Sequence, residues 1–199
     1  MADQKPKIPD SCEGFVLVGG HSLRFGRDKA MAPFRGQPLI AWAVHALEEV
    51  NLPFRLVGPD ITPYREWCEF GVTNETLGLG PAEAVRTALR ACTSEWALIL
   101  SVDMPQVTGA VLLRLLDEAF SSPSVTAICF ADNSGLRHPF PGLYRQTCLQ
   151  TIQRQSHGGS MQQFLASKTT RLLYPNDIPP GWDLERILHN VNHPDDLRE

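Results

Sequence analysis

In "GFVLVGGHSLRFGRDKA" an apolar run stops at Gly19 and Gly20, and Ser22, Arg24, Gly26 and Lys29 follow closely. Glycines let a backbone turn tightly and bring its N–H groups up to an anion. Ser22 adds a hydroxyl donor. Arg24 can grip phosphate oxygens with two parallel bonds, and Lys29 is a compact point charge. Lysine is scarce here, occurring only at Lys5, Lys7, Lys29 and Lys168, so its presence in this loop points to a selected charge. A second apolar run, "WALILSVD", ends on Asp103. Mg²⁺ is held by one or two carboxylates together with phosphate oxygens, so a basic loop plus a strand-end aspartate is what nucleotide chemistry requires. Each feature also has a plainer reading. The loop can be a solvated surface turn, and Asp103 can cap the turn before Pro105. Two familiar phosphate motifs are absent. No Lys directly follows Gly26, no Ser or Thr follows Lys29, and there is no GxGxxG, which excludes a P-loop NTPase and a plain dinucleotide fold.

The elements that must carry these residues follow from periodicity. "GFVLVGG" has the pattern of a parallel strand buried on both faces. "QPLIAWAVHALEEV" repeats apolar residues at helical spacing, and "FRLVG" is a second strand. Pro81 starts a helix over "PAEAVRTALRAC", and Thr108 is placed to cap another over "TGAVLLRLLDEAF". "SVTAICFAD" and "HPFPGLY" add strands, "SMQQFLAS" a short helix, and "PNDIPPGW" a loop. Strand and helix alternate over the first 120 residues, as in α/β proteins with a mostly parallel sheet sandwiched by helices. Ligands bind such sheets outside the carboxyl ends of the strands. If the two apolar strands are neighbours, the basic loop and Asp103 face each other across one crevice.

The 199 residues suffice for one domain, divided here into a loose N-terminal arm (1–13) and a single domain (14–199). A net charge of −4 gives no bulk attraction to nucleic acid or anionic membrane. No apolar run reaches the roughly 18 residues of a membrane span. Five irregularly spaced cysteines without CxxC indicate reduced thiols in the cytoplasm, not a disulfide framework or a zinc site. His189 and His193 have i, i+4 spacing, but "HNVNH" before Pro194 does not read as helix.

Five stretches in order resemble one family. "LVGGHSLRFGRDKA" is similar to the LAGGxSxRMGxDKA signature of nucleotidyltransferases, most closely the molybdenum cofactor guanylyltransferases. "GLGPAEAV" resembles that family's GPLAG segment, "EWALILSVDMP" its strand ending in CDMP or CDTP, "RHPFPGLYR" its HPxxALY, and "LHNVNHPDDL" its terminal NxNTPEDL. Together they span residues 15–197. The resemblance implies a Rossmann-like, nucleotide-diphospho-sugar transferase-like single domain. The implied reaction transfers GMP from Mg·GTP to molybdopterin and releases pyrophosphate. Arg24, Lys29 and Asp103 would be catalytic, with Asp103 the Mg²⁺ ligand. The nucleotide would be bound by Leu17, Val18, Gly19, Gly20, Ser22, Gly26, Lys29, Glu75, Gly80 and Asp103. Asn190 and Asn192 would line the molybdopterin side. The implied partners are GTP, molybdopterin and, transiently, proteins that mature molybdoenzymes.

The chain departs from the pattern at Glu83, where GPLAG has a small residue. Glu83 can turn outward in the first helical turn, where the helix dipole favours a carboxylate. Alternatively it faces the base and accepts the two adjacent N–H donors of guanine. A transferase of another base or acceptor, such as a molybdopterin cytidylyltransferase, and a non-catalytic binder of molybdopterin or nucleotide are the alternative readings.

Overall fold

A strand buried on both faces needs neighbours on each side, and β1 (Cys12–Leu17) has them. The computed structural model describes residues 11–19, 25, 28–73, 80–154 and 160–198. After β1 come a two-residue hairpin, β2 (Pro33–Phe34) and β3 (Gln37–Pro38), then α1 (Leu39–Glu49), β4 (Phe54–Gly58) and β5 (Gly71–Thr73). There follow α2 (Pro81–Ala91), β6 (Trp96–Ser101), α3 (Gly109–Ser121), β7 (Ala127–Ala131), β8 (Arg137–Arg145) and α4 (Cys148–Arg154). The chain closes with α5 (Met161–Leu165), β9 (Thr170–Leu173), α6 (Leu184–Ile187) and a 3₁₀ turn at Pro194–Arg198.

Seven strands form one sheet in the order β5-β4-β1-β6-β8-β7-β9. β8 runs antiparallel to β6 and β7, and every other pairing is parallel. Leu47, Leu112 and Leu115, from α1 and α3, cover one face with Val16, Leu98 and Phe130. Val85, Ile152 and Phe164, from α2, α4 and α5, cover the other with Phe15, Ile99 and Tyr144. This is the expected α/β sandwich. The sheet begins at Cys12, so two residues counted with the arm belong to β1.

One helix start differs from the sequence reading. Thr108 occupies the N-cap of α3 but its side chain caps nothing. Glu49, at the end of α1, accepts the Gly109 N–H at 2.6 Å. A Cβ at Gly109 would lie 2.6 Å from that carboxylate, so glycine makes room for the cap. Ser160 does cap α5, accepting from the Gln163 N–H.

All five cysteines are free thiols, and Cys12, Cys92, Cys129 and Cys148 are buried. Burial pushes Cys12 and Cys129 up to about 12 and Cys148 up to about 11, and it also raises Cys92. The thiolate is the reactive form, so these four are protected twice over. Half-buried Cys68 is then the one thiol expected to react with a disulfide reagent at pH 8 in the folded protein, the other four following only in denaturant. Rapid labelling of several thiols in buffer would contradict this packing.

Candidate active site

β1 and β6 are neighbours, paired in parallel so that Leu17 stands opposite Ser101 at their carboxyl ends. The pairing continues past both strands: the Val102 N–H donates to the Leu17 carbonyl at 3.4 Å and the Val18 N–H to the Val57 carbonyl at 2.8 Å. Val18 is buried, Leu17 is half-buried, and exposed Gly19 turns with φ +72° beside Pro59. A Cβ at Gly58 would lie 2.3 Å from the Val18 carbonyl oxygen, so glycine lets β4 approach this corner.

Across the crevice, Lys29 Nζ meets Asp103 Oδ2 at 2.8 Å, although the residues lie 74 apart in sequence. Their side chains are only 16 % and 21 % exposed, so the pair is partly shielded from water. The second carboxylate oxygen, Oδ1, is buried and has no hydrogen-bond partner among the described residues. Among those residues no group of three His, Cys, Asp or Glu side chains could hold a metal ion. Among the described residues a cation here would meet the Asp103 carboxylate, a donor Mg²⁺ uses when phosphates supply the rest.

The loop bearing Lys29 is held at several points. The Lys29 carbonyl accepts from the Ala32 N–H at 3.0 Å, and the Ala30 and Ala32 carbonyls accept from Ile40 and Leu39, the first N–H groups of α1. Those carbonyls satisfy donors that every helix start leaves open. Asp28 Oδ1 accepts from the Ala30 N–H, and Oδ2 accepts from the Tyr64 hydroxyl at 2.9 Å. Burial, with Asp28 alongside, raises the Tyr64 pKa, so the hydroxyl remains a donor. Sequence reasoning missed this latch. Asp28 adjoins Lys29 and could have been suspected, but nothing local marks Tyr64.

The C-terminal segment reaches the same rim. The Val191 N–H donates to the Asp103 main-chain carbonyl at 2.8 Å, and half-buried Asn190 and exposed Asn192 flank Val191 in the chain. Asp196 Oδ2 accepts from the Asn192 and His193 N–H groups, and these bonds hold its carboxyl below the usual range. A cleft of about 540 Å³ is lined by Arg35, Asp183, Glu185, Arg186 and His189, and among the described residues none of the candidate site residues lines it.

Gly80, with φ +78°, is the N-cap of α2, and Pro81 takes the first helical position. Glu83 lies in the first turn as anticipated, but it does not turn outward to solvent. It is buried, and Arg86 and Arg90 of its own helix pair with its carboxylate. A buried carboxylate needs such partners, and the spacing of α2 supplies them on the same side. Gly20, Ser22, Arg24, Gly26 and Glu75 lie outside the described residues.

The MobA-like NTP transferase domain family matches residues 14–172. A probable molybdenum cofactor guanylyltransferase of Mycobacterium avium is 30 % identical over 93 % of this chain and 92 % of its own. One from Geobacillus is 29 % identical over 92 % and 95 %. In fold, the chain is similar to the crystal structure of molybdopterin-guanine dinucleotide biosynthesis protein A from Archaeoglobus fulgidus, with TM-score 0.72 and 20 % identity over 94 % and 95 % of the two chains. The family match runs from within β1 to most of β9, including both residues of the Lys29–Asp103 pair. This chain therefore belongs to the MobA-like NTP transferase family and is a nucleotidyltransferase.

Proposed function

We propose that the chain transfers GMP from GTP to the terminal phosphate of molybdopterin and releases pyrophosphate, with Mg²⁺ as its metal. The observation that carries this reading is the Lys29–Asp103 contact, which puts a cation and a metal-type carboxylate on one rim. The relatives' printed names supply the base and the acceptor.

In this reaction an acceptor phosphate oxygen bonds to the α-phosphorus of GTP while the bond to the bridging oxygen breaks. The attacking oxygen is already anionic, so no strong general base is required. Catalysis is alignment and charge compensation. Asp103 is the residue that would hold Mg²⁺, through a carboxylate whose Oδ1 lacks a protein partner. When bound, the ion supplies positive charge to the triphosphate oxygens. Lys29 would bind those oxygens, and its ion pair with Asp103 compensates its charge otherwise. The Tyr64–Asp28 bond limits how far the lysine loop strays. Leu17, Val18 and Gly19 would lie against base and ribose through their backbone, Arg24 would hold the triphosphate with Lys29, and Gly20, Ser22, Gly26, Glu75 and Gly80 would complete the nucleotide site. Asn190 and Asn192 approach the acceptor. Among the described residues no helix is long and apolar enough to cross a membrane. The reading places the protein in the cytoplasm, without nucleic acid or membrane as partner and with transient contact to molybdoenzyme maturation proteins.

The test is a screen of GTP, CTP, ATP and UTP with molybdopterin as acceptor. GTP is expected to support transfer best, and a preference for CTP would overturn the guanylyl assignment. The same assay decides the role of Glu83. Its pairing with Arg86 and Arg90 supports a structural role, so Glu83→Gln should leave the GTP/CTP ratio of kcat/KM unchanged within about twofold. A carboxylate accepting from guanine would instead show a loss of roughly tenfold or more.

A further inference from the structure

The head of β8 holds a second cationic group whose partner is missing. Gly142 of β8 pairs with Ile99 of β6 on one side and Cys129 of β7 on the other. Beyond it the register shifts: His138 stands opposite Phe130 and Arg137 opposite Ala131, leaving Pro139, Phe140 and Pro141 out of the ladder. The Pro139 carbonyl folds back over Gly142, where a Cβ would lie 2.4 Å from it, and the Tyr144 hydroxyl donates to it at 2.6 Å. The displaced segment brings Arg137 and His138 to the carboxyl-end rim of the sheet. Both pair there with β7, and β8 leaves its ladder with β6 at Gly142, opposite Ile99.

Both residues are held in place. Gln162 of α5 clamps the Arg137 backbone, its amide nitrogen donating to the Arg137 carbonyl at 2.6 Å and its oxygen accepting from the Arg137 N–H at 3.3 Å. His138 Nε2 lies 3.3 Å from Asp132 Oδ2. Asp132 is itself fixed, with Oδ1 accepting from the Ser134 N–H at 2.8 Å, the Ser134 hydroxyl at 2.6 Å and the Leu136 N–H at 3.0 Å.

The Arg137 side chain is not matched in this way. Its Nε is buried and has no hydrogen-bond partner among the described residues, and no carboxylate there pairs with its guanidinium. Arg55, Arg114, Arg145 and Arg171 by contrast each hold a carboxylate. Arg86 and Arg145 also leave Nε without a partner, but their guanidinium groups pair with carboxylates, whereas the whole Arg137 side chain is left for an anion to complete. The nearby carboxylate of Asp132 is turned to His138 and to its own loop.

We propose that Arg137 binds the phosphomonoester of the acceptor at the carboxyl-end rim of the sheet that also carries Lys29. Arg137 grips the phosphate oxygens, while His138, the next residue of the strand, projects to the opposite face and is held by Asp132. The proposal rests on the nucleotidyl-transfer reading and assigns its acceptor subsite. It divides the cations of the site between two phosphate groups: Lys29 on the β1 side serves the triphosphate, and Arg137 on the β8 side serves the attacking phosphate.

The first experiment compares wild type, Arg137→Gln and Arg137→Lys in transfer from GTP to molybdopterin, with GTP affinity measured separately by calorimetry. Arg137→Gln is expected to raise the acceptor KM by roughly 10- to 100-fold, the worth of one charge-assisted bond, while the Kd for GTP stays within about twofold. Arg137→Lys should recover part of the loss. An unchanged acceptor KM, or a GTP Kd that rises in parallel, overturns the proposal. The second experiment titrates inorganic phosphate into protein saturated with a non-hydrolysable GTP analogue and follows by NMR the side-chain amide of Gln162, which holds the Arg137 backbone. A saturable shift in wild type that is lost in Arg137→Gln supports the subsite, and no shift in wild type overturns it. If wild type transfers nothing to molybdopterin yet shows the Arg137-dependent shift, the acceptor assignment fails and the anion subsite stands.

Discussion

Asp103→Ala should abolish nucleotidyl transfer, with kcat/KM falling on the order of a thousandfold or more. The side chain makes one contact that a neutral residue cannot replace, the 2.8 Å ion pair to Lys29, and its other oxygen is buried without a protein partner. Both point to a carboxylate kept for charge. A cap for the turn before Pro105 would have its oxygens on backbone N–H groups. The variant should still fold. Val191 docks on the Asp103 main-chain carbonyl, which the substitution retains, and the sheet pairing between Leu17 and Ser101 is untouched. Asp103→Asn makes the comparison sharper, since it preserves shape and removes only charge. Activity near wild type at ordinary Mg²⁺ in either variant would rule out the metal-binding role.

Lys29→Ala should cost on the order of a hundredfold in turnover and only a few degrees in melting temperature. The first number is typical for loss of one preorganised charge at a reacting phosphate. The second follows from the partial exposure of the pair: such bridges contribute about 1 kcal/mol, and a chain of this length shifts by about 2–4 °C per kcal/mol. The loop itself keeps its anchors, because the Ala32 N–H bonds to the Lys29 carbonyl and Tyr64 still holds Asp28. Lys29→Arg should recover part of the rate, since it restores charge with a wider and flatter group. Unchanged turnover would remove Lys29 from the phosphate site. A collapse in melting temperature would make its role structural.

The parts of this protein legible in its sequence are those set by local pattern. β1, β4, β6 and helices α1 to α3 announce themselves through apolar periodicity bounded by Gly and Pro, and their order implies the parallel sheet. Lys29 and Asp103 stand out because charge follows each of two apolar strands. Elements that draw their stability from neighbours are different. β5 and β9 are edge strands of three and four residues, and the β2–β3 hairpin has two residues per strand, too few for a periodic signal.

The tertiary structure alone decided which side chains meet. Strand order put β1 beside β6 and so turned two separate motifs into the Lys29–Asp103 pair. It gave the cap of α3 to Glu49, because α1 and α3 lie on the same face and a glycine left the carboxylate room. It buried Glu83 between arginines of its own helix instead of leaving it in solvent. It brought Tyr64 to Asp28 across 36 residues, and it returned β8 antiparallel so that Arg137 and His138 end at the rim. No local preference encodes these meetings. A side chain's propensity depends on the few residues beside it, whereas its partner is set by how strands order themselves to bury both faces of one sheet.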